Sequence, residues 1–262
     1  MPTEYFIIDL FCRVDDKMLD VTKHTQAALY PSEVVTLAML FALKGRGNRA
    51  FYRWLKNNWS HLFPRLPHRT RLFRLFNSHR KQIDRFMADP SLIGVIDSYG
   101  IELIHPRREG RSAQQVGKKG LSNKRWIVGG KLCLLLNHIG LVVGWDVDTA
   151  NVYDGSAFQH LVDAVDEEML VFADPHFAKQ GWNPPNLKIF PKGTWNDRMM
   201  IETVLSMLTV VCHFKKVGHR VWDYFKSRVG YTMALFNILV QWHGLQPADD
   251  GFVHHSIAEF SL

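Results

Sequence analysis

Two short apolar segments, each followed directly by an aspartate, constrain the fold of this chain most strongly. Residues 92–96 lead into Asp97, and residues 169–173 lead into Asp174. Short apolar runs of this kind predict buried strands, and core packing gives no reason for a charge at the end of either. In an open α/β sheet, functional side chains gather outside the carboxyl ends of neighbouring parallel strands. If these strands are neighbours, the two carboxylates face one crevice.

The rest of the chain divides into a helical part and a part in which strands and helices alternate. The first ninety residues show apolar side chains at helical spacing. Beyond them, further strands are predicted over residues 126–137, 141–147 and 187–190, and helices over residues 155–165, 196–214 and 221–242. This order predicts an α/β fold, a mixed sheet flanked by helices, preceded by a small all-α N-terminal domain. We expect the helical domain to span residues 1–90, the α/β domain residues 91–245 and a C-terminal tail residues 246–262.

The N-terminal helices carry a pattern with two interpretations. Two short helices surround a turn that contains Gly45 and Gly47, and an arginine-rich helix follows after Pro67. This outline is typical of a helix-turn-helix DNA-binding unit. A plain helical bundle with solvated arginines explains it equally well.

The net charge indicates the kind of partner, and the cysteines and apolar stretches indicate the cellular compartment. Lys and Arg outnumber Asp and Glu by 32 to 25, a formal net charge of +7 that suits a polyanionic partner without distinguishing DNA, RNA or a membrane surface. Cys12, Cys133 and Cys212 are far apart in apolar runs, so we expect buried free thiols in a reducing compartment. The longest apolar stretches fall short of a membrane span. We expect a cytoplasmic protein.

A third carboxylate, Glu202, lies beside Ile201 at the edge of the apolar stripe of a predicted helix. From there it can enter the crevice of Asp97 and Asp174. Three converging carboxylates repel one another unless a divalent cation lies between them, and Mg²⁺ prefers such oxygen ligands. Two such ions support phosphodiester chemistry. Taken singly, an aspartate at a strand end is more often a turn or cap residue, and a glutamate on a helix is more often a solvated charge.

Six segments follow one another in a characteristic order. They are Ile96-Asp97-Ser98, Gly130-Lys131-Leu132, Asn151-Val152-Tyr153-Asp154, Ala173-Asp174, Arg198 with Glu202 four residues later, and His219-Arg220. In this order they resemble the DDE transposases of bacterial insertion sequences, over nearly the whole chain. The spacings of the three acids, 77 and 28 residues, suit that family. The chain departs from the family pattern at Pro175-His176-Phe177 and at Thr209, where a lysine is common.

The resemblance implies a ribonuclease H-like catalytic core that acts on DNA. It implies that Asp97 and Asp174 are the main ligands of Mg²⁺ (or Mn²⁺), with two ions bound, and that Glu202 completes the catalytic site. The reaction would be metal-dependent cleavage at transposon ends, followed by attack of the new 3′-hydroxyl on target DNA. Because two DNA ends must be joined, we expect a homodimer or larger assembly on DNA. It would lie in the bacterial cytoplasm, associated with the nucleoid, without a membrane partner.

Basic residues near the predicted site are candidates for DNA binding. One group occupies a predicted flexible loop between the first two strands and comprises Arg107, Arg108, Arg111, Lys118, Lys119, Lys124 and Arg125. Such a loop neutralises phosphates, although a merely solvated loop has the same composition. Lys131 is expected to reach the crevice of Asp97. Arg198 shares a helix face with Glu202 and either holds a phosphate or pairs with that carboxylate. The remaining candidates are Lys215, Lys216 and Arg220.

Two other functions stay open. One is a ribonuclease H-like endonuclease that cleaves DNA without strand transfer. The other is a non-catalytic DNA-binding protein derived from a transposase, which predicts loss of a carboxylate that the sequence retains. Asp154 is interpreted first as the cap of the helix over residues 155–165 and second as a site residue.

Overall fold

The computed structural model of the protein describes residues 2–122, 124–165, 168–178, 181–190, 198–214, 219–245 and 256–260. The helices are α1 (Thr3–Asp16), α2 (Pro31–Lys44), α3 (Asn48–Asn58), α4 (Arg69–Ser78), α5 (Asp154–Ala157), α6 (Gln159–Asp163), α7 (Arg198–Val210) and α8 (Trp222–His243). The strands are β1 (Ile93–Ile104), β2 (Lys118–Ser122), β3 (Arg125–Asn137), β4 (Val142–Thr149), β5 (Leu170–Ala173) and β6 (Leu187–Ile189). Short 3₁₀ helices cover Arg80–Phe86, Pro106–Arg108, Pro175–Phe177 and Ala258–Phe260.

Strand β1 lies at the centre of a mixed six-stranded sheet. It pairs antiparallel with β3, from Gly94 opposite Asn137 to Ile104 opposite Val128, and parallel with β5. Strand β3 also pairs antiparallel with β2 and β4, and β5 pairs parallel with β6. The prediction of a mixed α/β sheet flanked by helices is therefore confirmed.

The two faces of the sheet have separate apolar clusters because side chains alternate along each strand. Leu132, Leu134 and Leu136 of β3 belong to a cluster with residues of α7, α8 and the N-terminal helices. Cys133 and Leu135 belong to a second cluster with residues of α6. We call these two sides the α8 face and the α6 face of the sheet.

The N-terminal helices pack on α8. Helix α2 packs directly against α8, and Phe41 of α2 and Phe73 of α4 share one apolar cluster with Val229 of α8 and with β3. The predicted domain boundary at residue 90 stays a prediction. Although α2 and α8 are apolar and largely buried, no helix in the described part of the chain is long and apolar enough to cross a membrane.

Strand β1 is longer than the sequence predicts. The apolar run ends at Ile96, but the strand continues through Asp97 to Ile104 because β3 pairs with it over that length. The prediction that Asp97 ends a strand is therefore wrong. What ends at Ile96 is the pairing with β5, since Ile96 opposite Ala173 is the last pair of that ladder.

Part of the basic segment between β1 and β3 forms regular secondary structure. Lys118–Ser122 forms β2, which pairs with the start of β3, and Pro106–Arg108 forms a 3₁₀ turn. The prediction of a flexible loop is wrong for these residues. We call residues 106–126 the basic arm.

The three cysteines are not all buried. Cys133 and Cys212 are buried, as predicted, but Cys12 is exposed, so the prediction is wrong for that residue. The reason lies in α1, which turns Leu10 and Val14 inwards and leaves Cys12 on its outer side.

Candidate active site

Asp97 and Asp174 lie on adjacent parallel strands. Ile96 of β1 is paired with Ala173 of β5, and each is followed directly by one of the aspartates. Ile96 and Ala173 both pack into the cluster on the α6 face, so the next residue of each strand points towards the α8 face. Asp174 keeps an extended backbone, with φ −78° and ψ 168°, although β5 ends before it. The structure therefore brings the two predicted aspartates together on one face.

Each of these aspartates has one oxygen held by a backbone amide. The N–H of Ser98 donates to Asp97 Oδ1 at 2.7 Å, and the N–H of His176 donates to Asp174 Oδ1 at 2.8 Å. Asp174 thereby caps the 3₁₀ helix Pro175–Phe177. Both aspartates are half-buried. A carboxylate has about four lone-pair sites, so a capping role is compatible with binding a cation.

Glu202 lies on α7, which packs against β1, the strand that carries Asp97. The predicted apolar stripe of α7 is confirmed, with Ile201 1% and Val204 0% exposed, whereas Glu202 is exposed. Among the described residues, no group of three or more His, Cys, Asp or Glu side chains is placed so that it could hold a metal ion. The structure thus brings Asp97 and Asp174 together, whereas Glu202 lies on the neighbouring helix and does not form a preformed three-residue cluster with them.

A buried ion pair lies on the α6 face. Lys131 Nζ is 2.8 Å from Asp154 Oδ1 and also donates to the carbonyl oxygen of Val152 at 2.8 Å. The side chains of Lys131 and Asp154 are only 14% and 9% exposed. Ser98 Oγ donates to the other carboxylate oxygen of Asp154 at 2.8 Å. All the polar groups of this cluster are therefore bound to one another.

This ion pair corrects the expectations for Lys131 and Asp154, and the helix that follows Asp154 also differs from its prediction. Lys131 shares the α6 face with Cys133, two residues further along β3, so it does not reach the crevice of Asp97 on the other face. Asp154 is the first residue of α5 and not its cap, and its carboxylate binds Lys131 and Ser98 instead of the helix amides. The helix predicted over residues 155–165 is two short helices.

Ser98 is a functional candidate that the sequence did not single out. Its backbone N–H holds Asp97, and its hydroxyl binds Asp154, so this residue connects the two faces of the sheet. In the sequence, its position directly after Asp97 pointed to a role for Ser98. Its hydrogen-bond partner Asp154 lies 56 residues further along the chain and could not be foreseen.

A buried thiol lies at the centre of the sheet, close to several carboxylates. The Cys133 thiol lies opposite Ser98 and is completely buried. Its burial raises the pKa of Cys133 well above the ordinary value, and the nearby carboxylates of Asp154, Asp97 and Asp146 raise it further. The opposing charge of Lys131 offsets only part of this effect. Asp154 and Asp146 are each paired with a lysine, Lys131 and Lys226, and Cys133 stays a protonated thiol.

The basic arm exposes all seven of its candidate DNA-binding residues, which are Arg107, Arg108, Arg111, Lys118, Lys119, Lys124 and Arg125. Two of them form ion pairs, Lys119 with Glu109 at 3.4 Å and Arg125 with Glu102 at 3.2 Å. Arg220, just before α8, is exposed as well. Lys215, Lys216 and the side chain of Arg198 lie outside the described residues.

An exposed aromatic residue on the basic arm is a second functional candidate that the sequence did not single out. Trp126 is 57% exposed, and Lys119 Nζ lies 5.5 Å from its ring centroid. By strand alternation Trp126 points to the same face as Leu134, the residue opposite Asp97. The eight-residue separation corresponds to roughly 26 Å along β3. An exposed tryptophan beside cations suits contact with nucleic-acid bases. The sequence signal for this role was the pair of basic residues, Lys124 and Arg125, directly before Trp126.

The site is defined by the chain's own residues alone, since no protein-family model matches the chain, and no curated protein and no solved structure matches it. It combines a pair of adjacent carboxylates, a third acid on the neighbouring helix and an exposed basic and aromatic arm. Carboxylates of this kind suit a hard divalent cation, and the arm suits a polyanion.

Proposed function

We propose that the protein is a DDE transposase, which cleaves the ends of transposon DNA and transfers them into target DNA in a metal-dependent reaction. One observation carries the proposal: Asp97 and Asp174 follow the last pair of the β1–β5 ladder, on one face of the sheet. Helix α7, which bears Glu202, packs against the same strand β1. The mixed sheet flanked by helices supports a ribonuclease H-like core.

The carboxylates fit Mg²⁺ or Mn²⁺ as the cofactor. Asp97 and Asp174 offer half-buried oxygen ligands on adjacent parallel strands. Glu202 is the third ligand of the proposed site and would complete it on the DNA-bound protein. When bound, two divalent ions activate the attacking hydroxyl and stabilise the leaving oxygen. The protein's own part is to hold the two aspartates in register through β1 and β5 and through the backbone amides of Ser98 and His176.

The basic arm is the proposed path of the DNA. Its exposed lysines and arginines would neutralise phosphates, and Trp126 would contact a base or sugar. The separation of roughly 26 Å between Trp126 and the position of Asp97 along β3 is shorter than one turn of B-DNA, about 34 Å. A single DNA end can therefore contact both the arm and the carboxylates.

The N-terminal helices are the proposed sequence-recognition unit. They expose Arg49 and Arg53 on α3 and Arg71 and Arg74 on α4, and such residues contact phosphates or guanines. Two transposon ends require two copies of this unit, so a homodimer or a larger assembly forms on DNA. A protein with this activity would lie with the nucleoid in the cytoplasm.

Incubation of the purified protein with Mg²⁺ and the DNA ends that flank its gene tests the proposal. We expect strand cleavage at the ends, and joined products when the ends are supplied already cleaved. Asp97→Asn should abolish both activities and leave DNA binding intact. Asp9→Asn, the same change at an exposed aspartate of α1, should leave all three intact.

Each alternative function has its own outcome in this assay. Cleavage without joined products indicates an endonuclease that lacks strand transfer. DNA binding without cleavage by the wild-type protein indicates a non-catalytic DNA-binding protein. Cleavage that persists in Asp97→Asn contradicts the catalytic assignment of that residue.

A further inference from the structure

A cavity lies between α2, α4 and the first half of α8. It is partly open to solvent: about 280 Å³ lies between its walls when the solvent at its mouth is counted, and the room inside for water-sized groups is about 20 Å³. Most of its wall is aromatic and comprises Phe41, Phe73, Phe76, Tyr224 and Tyr231. Phe41 and Phe73 pack edge to face with their ring centroids 5.0 Å apart. The cavity therefore offers an apolar surface to a small ligand.

One buried cation faces this cavity. Arg228 is 5% exposed, and its guanidinium carbon lies 4.7 Å from the ring centroid of Phe41. Its Nη2 is buried and has no hydrogen-bond partner within the described part of the chain. The described residues that line the cavity include no Asp or Glu. Burial of a guanidinium without a carboxylate is costly, so an entering anion would gain from pairing with Arg228.

His219, just before α8, presents a second polar atom. Its Nε2 is buried and likewise has no hydrogen-bond partner among the described residues. Burial, and secondarily the charge of Arg228, lower the pKa of His219 to about 4. The ring is therefore neutral near neutral pH, and in the tautomer with hydrogen on Nε2 it can donate one hydrogen bond to an anion.

We propose that this cavity binds a small monocarboxylate, whose oxygens pair with Arg228 and His219 and whose apolar part packs on the aromatic rings. A guanidinium matches a carboxylate in bidentate geometry. Two donor groups suffice for one carboxylate, whereas a phosphate dianion brings more acceptor oxygens than these two groups satisfy. The apolar wall favours a short aliphatic acid over a purely polar anion. The site is independent of Asp97 and Asp174 and of the function proposed for them.

Thermal unfolding of the whole protein near neutral pH and at constant ionic strength tests the proposal. Sodium propionate is the probe, sodium chloride controls for charge, and propionamide controls for shape. The Tm of the wild type should rise with propionate, by about 3–5 °C at tenfold the Kd, and should not rise with either control. Arg228→Met removes the buried charge and should lose the rise. Arg71→Met, the same change at an exposed position of α4, should keep it.

The NMR signals of the His219 ring give a second readout that needs no variant. In the wild type, propionate should shift these signals and raise the pKa of His219, because a neighbouring anion favours the charged ring. Propionamide should do neither. An equal rise in Tm for Arg228→Met, an equal rise with propionamide, or His219 signals that do not respond to propionate would each overturn the proposal.

Discussion

Lys131 Nζ lies 2.8 Å from Asp154 Oδ1 on the face of the sheet opposite Asp97, and only 14% and 9% of the two side chains are exposed. Ser98 joins this pair to the proposed active site, because its hydroxyl donates to Asp154 and its backbone N–H donates to Asp97. The ion pair therefore supports the segment of β1 that carries the proposed catalytic aspartate.

Lys131→Met should destabilise the fold strongly, because it leaves the buried carboxylate of Asp154 without its counter-charge. Breaking a buried pair in this way costs about 3–5 kcal/mol, to be measured as the free energy of unfolding in urea. Lys131→Met combined with Asp154→Leu should recover most of that loss, since no unpaired charge remains. A loss below about 1 kcal/mol in the single variant is typical of a solvated surface pair and would contradict this role.

His219 should make the protein less stable in mild acid. Its folded-state pKa is lowered to about 4 from 6.5, first by burial and then by Arg228. As the pH falls below 6.5, the unfolded chain takes up a proton that the folded chain does not accept. The stability is therefore complete above 6.5 and is lost progressively towards pH 4. The gap between the two pKa values corresponds to roughly 3 kcal/mol at most.

The variant His219→Gln isolates this effect from the other groups that titrate in acid. The difference in free energy of unfolding between wild type and variant should change by up to about 3 kcal/mol between neutral pH and pH 4, with the wild type losing more. A difference that stays constant over this range would show that His219 is solvated in the folded protein.

The cysteines should differ sharply in their reactivity. Burial raises the pKa of Cys212 to about 12 and that of Cys133 well above its ordinary value, whereas Cys12 is exposed. Because the thiolate is the reactive form, a disulfide reagent should modify Cys12 quickly and the other two thiols only on unfolding. The release of chromophore over time measures this. Cys12→Ser should have no fast phase, and a fast phase in that variant would contradict the burial of Cys133 or Cys212.

The basic arm should set the salt dependence of DNA binding. Lys118→Ala combined with Lys124→Ala removes two exposed cations. Each phosphate contact contributes about 0.9 to the slope of log K against log salt for B-DNA, so the slope should become shallower by about 2. Fluorescence anisotropy at several salt concentrations measures it. The control is Lys17→Ala with Lys188→Ala, which removes two exposed cations outside the arm. Equal slopes for the two double variants would contradict DNA binding by the basic arm.

The apolar pattern was sufficient to predict the strands that form the centre of the sheet. Runs of apolar residues before Asp97 and Asp174 identified β1 and β5, and alternation of strands and helices identified the mixed sheet. The pattern placed the end of β1 too early. Beyond Ile96 the residues are no longer continuously apolar, but the strand continues because β3 pairs with it. The pattern also failed at β2, where Lys118 and Lys119 have no apolar alternation and the strand depends on β3.

The polar contacts around the site could not be read from the sequence. Lys131 and Asp154 are 23 residues apart, and Ser98 and Asp154 are 56 apart. Such contacts depend on which strands become neighbours and on which face each side chain takes. The proximity of Asp97 and Asp174 was predictable because each directly follows an apolar run, and those two runs pair as neighbouring parallel strands up to Ile96 and Ala173. The exposed position of Glu202 was not predictable, since the helical stripe fixes Ile201 and Val204 but leaves the neighbouring residue at its edge.

The central claim is that Asp97 and Asp174 share a divalent cation, and titration of paramagnetic Mn²⁺ into isotope-labelled protein tests it most directly. The backbone amide signals of Ser98 and Ala173 should broaden first, because these residues adjoin the two carboxylates. The double variant Asp97→Asn with Asp174→Asn should lose that broadening while keeping the spectrum of a folded protein. Sharp Ser98 and Ala173 signals in the wild type, or equal broadening in the double variant, would contradict the shared site.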